Sequence, residues 1–132
     1  MIRFICILFV LFLFVFNCNP VNPSQSDNYV QLDTTSGNIL AKIGDTFEIR
    51  ILNESSDGGY WWYVTTEFDS TIARLVTFKT EPSSDAVGAP TYEIWLYNAI
   101  KQGNDTLRLK LYRSWDSMNI IATKSFNLTV QP

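Results

Sequence analysis

Beyond its first thirty residues the chain alternates between apolar and polar positions with a period of two. Phe47, Ile49 and Ile51 alternate with Glu48 and Arg50. Leu107, Leu109 and Leu111 alternate with Arg108, Lys110 and Tyr112, and Phe126, Leu128 and Val130 with Asn127 and Thr129. Side chains of a strand point to opposite faces in turn, so each run reads as a strand with one buried and one wet face. Further strands are expected at 29–33, 38–43, 60–66, 72–79 and 91–99. Turn-forming residues separate them: Ser36-Gly37-Asn38, Gly44-Asp45, Ser55 to Gly59, Glu81 to Pro90, Gly103-Asn104-Asp105 and Ser114 to Asn119. No segment carries the 3.6-residue period of a helix. Some seven to eight short strands with regular turns indicate an all-β fold, an Ig-like antiparallel β-sandwich. A closed barrel is the structural alternative.

The N-terminus breaks this pattern. Arg3 precedes an apolar run from Phe4 to Phe16, and Asn17-Cys18-Asn19-Pro20 ends it. A basic start, an apolar centre and a polar exit make a secretory signal peptide, read here as residues 1–18. The run falls short of the ~20 residues that span a bilayer. An uncleaved N-terminal anchor is one alternative. A bacterial lipoprotein cut before Cys18 and lipidated on it is another, with Asn17 a poor residue for that cut. Residues 19–28, polar with two prolines, read as a flexible spacer, and residues 29–132 as the folded domain. The expectation is a chain secreted or delivered to the endomembrane or lysosomal lumen, with no membrane span after cleavage.

Composition narrows the chemistry. Removing the leader takes Arg3 and no acid, which moves the formal charge from −3 to −4. The basic residues are scattered, so nucleic acid is not the expected partner. Both cysteines, Cys6 and Cys18, fall in the leader, so no disulfide is expected in the domain. There is no histidine in the chain. Ser-His and Cys-His nucleophile pairs and the commonest transition-metal ligand are thereby excluded. The expectation is a protein that is not an enzyme and carries no cofactor or metal. Three glycosylation sequons begin at Asn53, Asn104 and Asn127.

Three connections stand out. The first runs from Asn53 to Trp62 and joins a Ser/Asp/Gly segment to an aromatic cluster. Gly58-Gly59 permits positive φ and close backbone approach. Trp62 shares its parity with Val64 and is expected in the core, which puts Trp61 and Tyr63 on the other face. The second connection, Glu81 to Pro90, is long for a hairpin, which points to a functional or a mobile tip. The third, Arg113 to Met118, carries Trp115 between Arg113 and Asp116. Trp and Arg are enriched in binding hot spots. The plainer alternative folds Trp115 back on the sandwich edge.

These connections lie in a recognisable order. Gly44-Asp45-x-Phe47-x-Ile49, Gly59-Tyr60-x-Trp62, Thr91-Tyr92, Ala99-x-Lys101-x-Gly103-x-x-Thr106-Leu107-x-Leu109 and Tyr112-Arg113-x-Trp115-Asp116 follow one another from about Lys42 to Val130. This order resembles the chagasin family of cysteine protease inhibitors. The resemblance implies an Ig-like sandwich whose three loops at one end enter the cleft of a papain-like cysteine protease and occlude it reversibly. It assigns protease binding to Ser55, Ser56, Asp57, Gly58, Gly59 and Tyr60 in the first loop, Gly88, Ala89 and Pro90 in the second, and Arg113, Ser114, Trp115 and Asp116 in the third. The family's Asn-Pro-Thr-Thr half of the first motif is replaced by Ser55-Ser56-Asp57-Gly58. Its Gly-x-Gly-Gly motif is degraded around Val87-Gly88-Ala89-Pro90. Its Arg-Pro-Trp-Glu becomes Arg113-Ser114-Trp115-Asp116. Asp57 places a charge where the family sets neutral side chains over the catalytic cysteine, at a desolvation cost if unpaired. Gly58 loosens the loop, so binding has to order more chain. A monomer is expected. The competing reading is a secreted or surface-attached Ig-like module that binds a protein or glycan through exposed aromatics: Trp61, Tyr63, Trp95 and Trp115.

Overall fold

The computed structural model describes residues 29–33 and 37–132, so the expected leader and spacer lie outside the described residues. Eight strands are formed: β1 (Tyr29–Asp33), β2 (Gly37–Lys42), β3 (Thr46–Asn53), β4 (Tyr60–Thr66), β5 (Ala73–Pro82), β6 (Thr91–Ala99), β7 (Gly103–Arg113) and β8 (Ala122–Gln131). They build two four-stranded sheets, ordered β1-β3-β6-β5 and β2-β8-β7-β4. The result is the expected all-β sandwich. One 3-10 turn, Ser56–Gly58, is the only helical element among the described residues. None of their helices is long and apolar enough to cross a membrane.

Period-two alternation is silent on strand direction. Most pairs are antiparallel, but β1 runs parallel to β3, and β2 parallel to β8. The chain thus contributes consecutive strands to opposite sheets on one side of the sandwich. On the other side β4 and β5 each have one neighbour among the described strands. Each carries a register shift, between Val64 and Thr66 in β4 and between Leu75 and Thr77 in β5. The shift in β5 explains why simple alternation misreads that strand. Leu75 pairs with Tyr97 and Phe78 with Trp95, both core residues of β6, although Leu75 and Phe78 differ in parity.

The inward positions form one core. Phe47, Ile49, Ile51, Trp95 and Tyr97 from the first sheet meet Trp62, Leu107, Leu109, Phe126 and Leu128 from the second. Tyr97 stacks on Phe47 at 5.5 Å and meets Phe68 edge-on at 5.1 Å, arrangements that suit the ring quadrupoles. Its hydroxyl donates to Glu67 Oε1 at 2.7 Å, and burial pushes the phenol's pKa up. Trp62 is buried as its parity predicts, with Trp61 and Tyr63 half-buried on the other face. Trp95 corrects an expectation. It is not an exposed aromatic but 4% exposed, because it shares the inward face of β6 with Tyr97.

The outer face of the first sheet is also drier than alternation suggests. Ile94 and Glu48 are buried there. Arg50 and Lys79 flank Ile94 in register. Arg50 bonds Glu48 at 2.8 Å and Glu81 at 3.3 Å, and Lys79 bonds Glu81 at 2.6 Å. These long side chains cover apolar surface with their stems while keeping their heads paired. Two turn expectations also shift. Gly103-Asn104-Asp105 starts β7, because pairing with β8 from Val130 to Leu128 extends the ladder there. Gly103 fits because a Cβ would lie 3.0 Å from Ile72 Cδ1. Glu81 and Pro82 extend β5, a free edge where a proline costs no ladder bond.

Truncating Phe47, fully buried between the sheets, removes a ring that the core cannot refill. Phe47→Ala is expected to cost about 3–5 kcal/mol in urea denaturation. A loss below about 1 kcal/mol would contradict the packing described.

Candidate functional site

The register puts three loops at one end. Asn53 and Pro82 both pair with Thr91, so the exit of β3, the exit of β5 and the entry of β6 lie side by side. In the other sheet Tyr60 pairs with Arg113 and Leu111 with Ala122, which places the entry of β4, the exit of β7 and the entry of β8 at the same end. The loops 54–59, 83–90 and 114–121 therefore emerge together.

The first loop is tightly wound. The Gly58 amide donates to Ser55 O at 3.1 Å, Gly59 to Ser56 O at 3.1 Å and Tyr60 to Ser55 O at 3.3 Å. Gly59 ends the turn in the left-handed region at φ 79°. A side chain there would be strained, and a Cβ would lie 2.5 Å from Trp115 Cη2. Trp115 therefore rests one edge of its indole on Gly59, which needs a glycine at that point. The remainder of the indole is open, since Trp115 is 72% exposed. Trp115 thus touches the fold and still presents most of its surface.

Arg113 fastens the first and third loops. Its Nε donates to Gly58 O at 2.9 Å. Its guanidinium lies 4.3 Å over the Tyr60 ring and 5.9 Å from the Trp115 ring centre. A planar, always-charged group can stack and donate at once. The third loop turns through the Asp116 amide donating to Arg113 O at 2.9 Å and that of Asn119 to Asp116 O at 3.2 Å. Asp57, Ser114 and Asp116 are exposed, and Ser55, Ser56, Tyr60 and Arg113 half-buried.

The second loop is a hairpin tip with its own bonds. The Ser83 amide donates to Pro90 O at 2.8 Å and that of Ala89 to Ala86 O at 3.1 Å. Gly88 is exposed at φ 76°, and Ala89 and Pro90 are half-buried. The base of this loop meets the first loop where Ser56 Oγ donates to Thr91 Oγ1 at 3.3 Å. The loops project fully exposed Val87 from the second and Met118, 91% exposed, from the third, beside Trp115. Neither Val87 nor Met118 is singled out by the sequence reading. An apolar residue at a loop tip is their only signal.

Two buried polar groups lie beneath the loops and are also missed by the motifs. Asn53 and Glu93 are each 1% exposed. Asn53 Nδ2 donates to Tyr60 O and to Glu93 Oε1, both at 2.7 Å. The Ser55 amide donates to Asn53 Oδ1 at 3.0 Å. The Trp62 amide donates to both Glu93 oxygens at 3.2 Å. Burial pushes the Glu93 carboxyl up to about 7, against the opposing pull of the Trp62 amide and the Asn53 side chain. The signal in the sequence is a broken pattern: Glu93 stands where the inward parity of Trp95, Tyr97 and Ala99 calls for an apolar residue. The sequon at Asn53 is occupied by this network, whereas Asn104 and Asn127 are exposed.

The family model described as "Chagasin family peptidase inhibitor I42" matches residues 41–130. The chain belongs to the chagasin family of peptidase inhibitors. Solved structures of the same fold agree. The cysteine protease inhibitor EhICP2 from Entamoeba histolytica superposes with a TM-score of 0.63 at 15% identity, covering 79% of this chain and 95% of that one. PbICP-C, solved in complex with falcipain-2, gives 0.59 at 15% identity, covering 79% and 99%. Amebosin, solved in solution, gives 0.52 at 18% identity, covering 78% and 96%. No curated protein matches the chain by sequence.

The raised value of Glu93 fixes a pH dependence. Its folded value of about 7 lies above the ordinary 4.5, so its contribution to stability is full below about 4.5 and is lost as pH rises through 7. Asp69 and Glu81 are held below their ordinary values, Asp69 by bonds from Thr71 and Glu81 by Lys79, and so act at lower pH. The Tm is expected to rise as pH falls from 8 to 5. Glu93→Gln is expected to flatten that rise, and an unchanged slope would refute the assignment. Gly59→Ala is expected to displace Trp115, read as an altered near-ultraviolet circular dichroism of the indole with the far-ultraviolet strand signal unchanged.

Proposed function

We propose that this member of the chagasin family inhibits papain-like cysteine proteases by inserting its loop end into their cleft. The observation that carries the reading is the clamp of Arg113 on Gly58 O and Tyr60, which fixes the first and third loops as one body with Trp115 standing out of it. An inhibitor that binds without chemistry needs a rigid, preordered wedge, and this clamp supplies it. Ser55 to Tyr60 would sit over the catalytic cysteine, Val87 to Pro90 on the substrate side and Trp115 with Arg113 on the leaving-group side. The capture of Gly58 O offsets the looseness of Gly58-Gly59. Asp57 stays at the exposed tip of the turn, where its charge reaches solvent until the complex forms. A wedge of this kind buries roughly 800 Å² on each partner.

The proposal carries further parts. Action is by occlusion with no bond cut, and so reversible, and the histidine-free sequence holds no Ser-His or Cys-His pair for catalysis. Two fold neighbours support the target class: EhICP2 is a cysteine protease inhibitor, and PbICP-C was solved with falcipain-2 bound. The apolar N-terminal run serves as a signal peptide that takes the chain into the secretory route. The rival reading, a module that binds a protein or glycan through exposed aromatics, loses Trp95 to the core and keeps Trp61 and Tyr63 half-buried, with Tyr63 stacked on Tyr112 at 4.2 Å.

Titration of papain or a cathepsin-L-like protease with the refolded domain tests this. Inhibition is expected below micromolar concentration, and its absence at micromolar inhibitor would overturn the proposal. Trp115→Ala is expected to cost about 2 kcal/mol, roughly a thirtyfold weaker inhibition.

A further inference from the structure

Asn53 and Glu93 do something that the protease contact itself does not require. Both are buried to 1% exposure, beneath the surface a protease would touch. A buried carboxylate among core residues is costly, and its value is raised accordingly. Its position on the fold explains what it does there.

Asn53 is the last residue of β3, and its amide reaches both ends of the first loop. Oδ1 accepts from the amide of Ser55, the first residue assigned to protease binding, and Nδ2 donates to the carbonyl of Tyr60, the last. The second Nδ2 hydrogen goes to Glu93 Oε1. An amide has two donors and one acceptor oxygen, and all are engaged. Rotating it by half a turn would set Oδ1 against the Tyr60 carbonyl and Glu93 Oε1, three oxygens facing one another, and would turn Nδ2 toward the Ser55 amide. Glu93, with the Tyr60 carbonyl and the Ser55 amide, therefore sets which way the Asn53 amide points. Glu93 is held in turn by the Trp62 amide, in the strand that the loop enters.

We infer that Asn53 and Glu93 are positioning residues of the first inhibitory loop, with Glu93 fixing the Asn53 amide and that amide gripping the loop at Ser55 and Tyr60. The inference rests on the inhibitory reading of the loop, and it deepens that reading. The loop holds Gly58 and Gly59, which leave its backbone free unless both ends are tied. The ties lie below the contact surface, so they set the loop's order before any protease arrives.

The test uses two variants and two readouts on the folded domain. Glu93→Met keeps the bulk and removes the acceptor. Glu93→Gln keeps Oε1, which can accept from both Asn53 and Trp62. The first readout is amide hydrogen exchange at Ser55 and Tyr60 with Leu109 and Leu128 as references in the core strands. Glu93→Met is expected to speed exchange at Ser55 at least tenfold with the references unchanged, and Glu93→Gln to restore it. Equal Ser55 exchange in wild type and Glu93→Met, or no rescue by Glu93→Gln, would overturn the inference. The second readout is inhibition of papain, expected about tenfold weaker for Glu93→Met and near wild type for Glu93→Gln. Loosened exchange with unchanged inhibition would overturn the link to function. A wild-type domain that inhibits no papain-like protease overturns the inhibitory reading instead, while the exchange readout still decides whether the pair positions the loop. Should Glu93→Met not fold, Asn53→Ser, which shortens the amide and leaves Glu93 in place, is read in the same two assays with the same outcomes.

Discussion

The sandwich depends on the layer of side chains between its sheets, because no disulfide joins them. The chain has no cysteine beyond Cys18, so no disulfide can clamp residues 29–132. Small sandwiches of this kind often use one. Here Phe47, Tyr97 and Phe126, each at 0% exposure, take that place. A core packed to crystal-like density has few alternative arrangements. The loops leave such a core at fixed points, so their spacing is a property of the core rather than of the loops.

On that base the first and third loops are joined by one arginine. Arg113 sits at the end of β7, in register with Tyr60 at the start of β4. The same pairing that builds the sheet delivers the guanidinium to the Tyr60 ring and the Gly58 carbonyl. Lysine could not serve in its place, because its compact ammonium cannot stack and donate from one plane. The second loop remains a separate hairpin, joined to the first at Ser56 and Thr91. This division matches the sequence, where Gly59-Tyr60-x-Trp62 of the first motif and Arg113-x-Trp115 of the third are kept and the middle motif is degraded.

Much of the fold was legible because burial imposes a period. Phe47 to Ile51, Leu107 to Leu111 and Phe126 to Val130 fell where alternation placed them, and Trp62 followed its parity with Val64. The misreadings have physical causes. Trp95, of a residue type common at binding surfaces, turns inward because it shares the face of Tyr97. Leu75 and Phe78 broke alternation because a register shift intervenes, and a shift leaves no mark in composition. Parallel pairing of β1 and β2 was invisible because periodicity carries no direction. At the site, Gly59-Tyr60 and Arg113-x-Trp115 were legible as motifs. Asn53 and Glu93 were not, because a partner forty residues away in sequence is set by tertiary pairing alone.

The two register shifts have a consequence for the borders of the sandwich. β4 and β5 border the sandwich, each with a strand neighbour on one side only among the described residues, and Leu75, Val76 and Phe78 are exposed on β5. A straight, apolar strand in that position would template the addition of another chain. The irregularity in each strand interrupts the even spacing of donors and acceptors that an incoming strand would need. The charged heads of Arg74 and Lys79 add a barrier along β5. The apolar side chains of that border thereby sit on a backbone that offers no even template, whereas the loop tips present Val87, Trp115 and Met118 without such interruption.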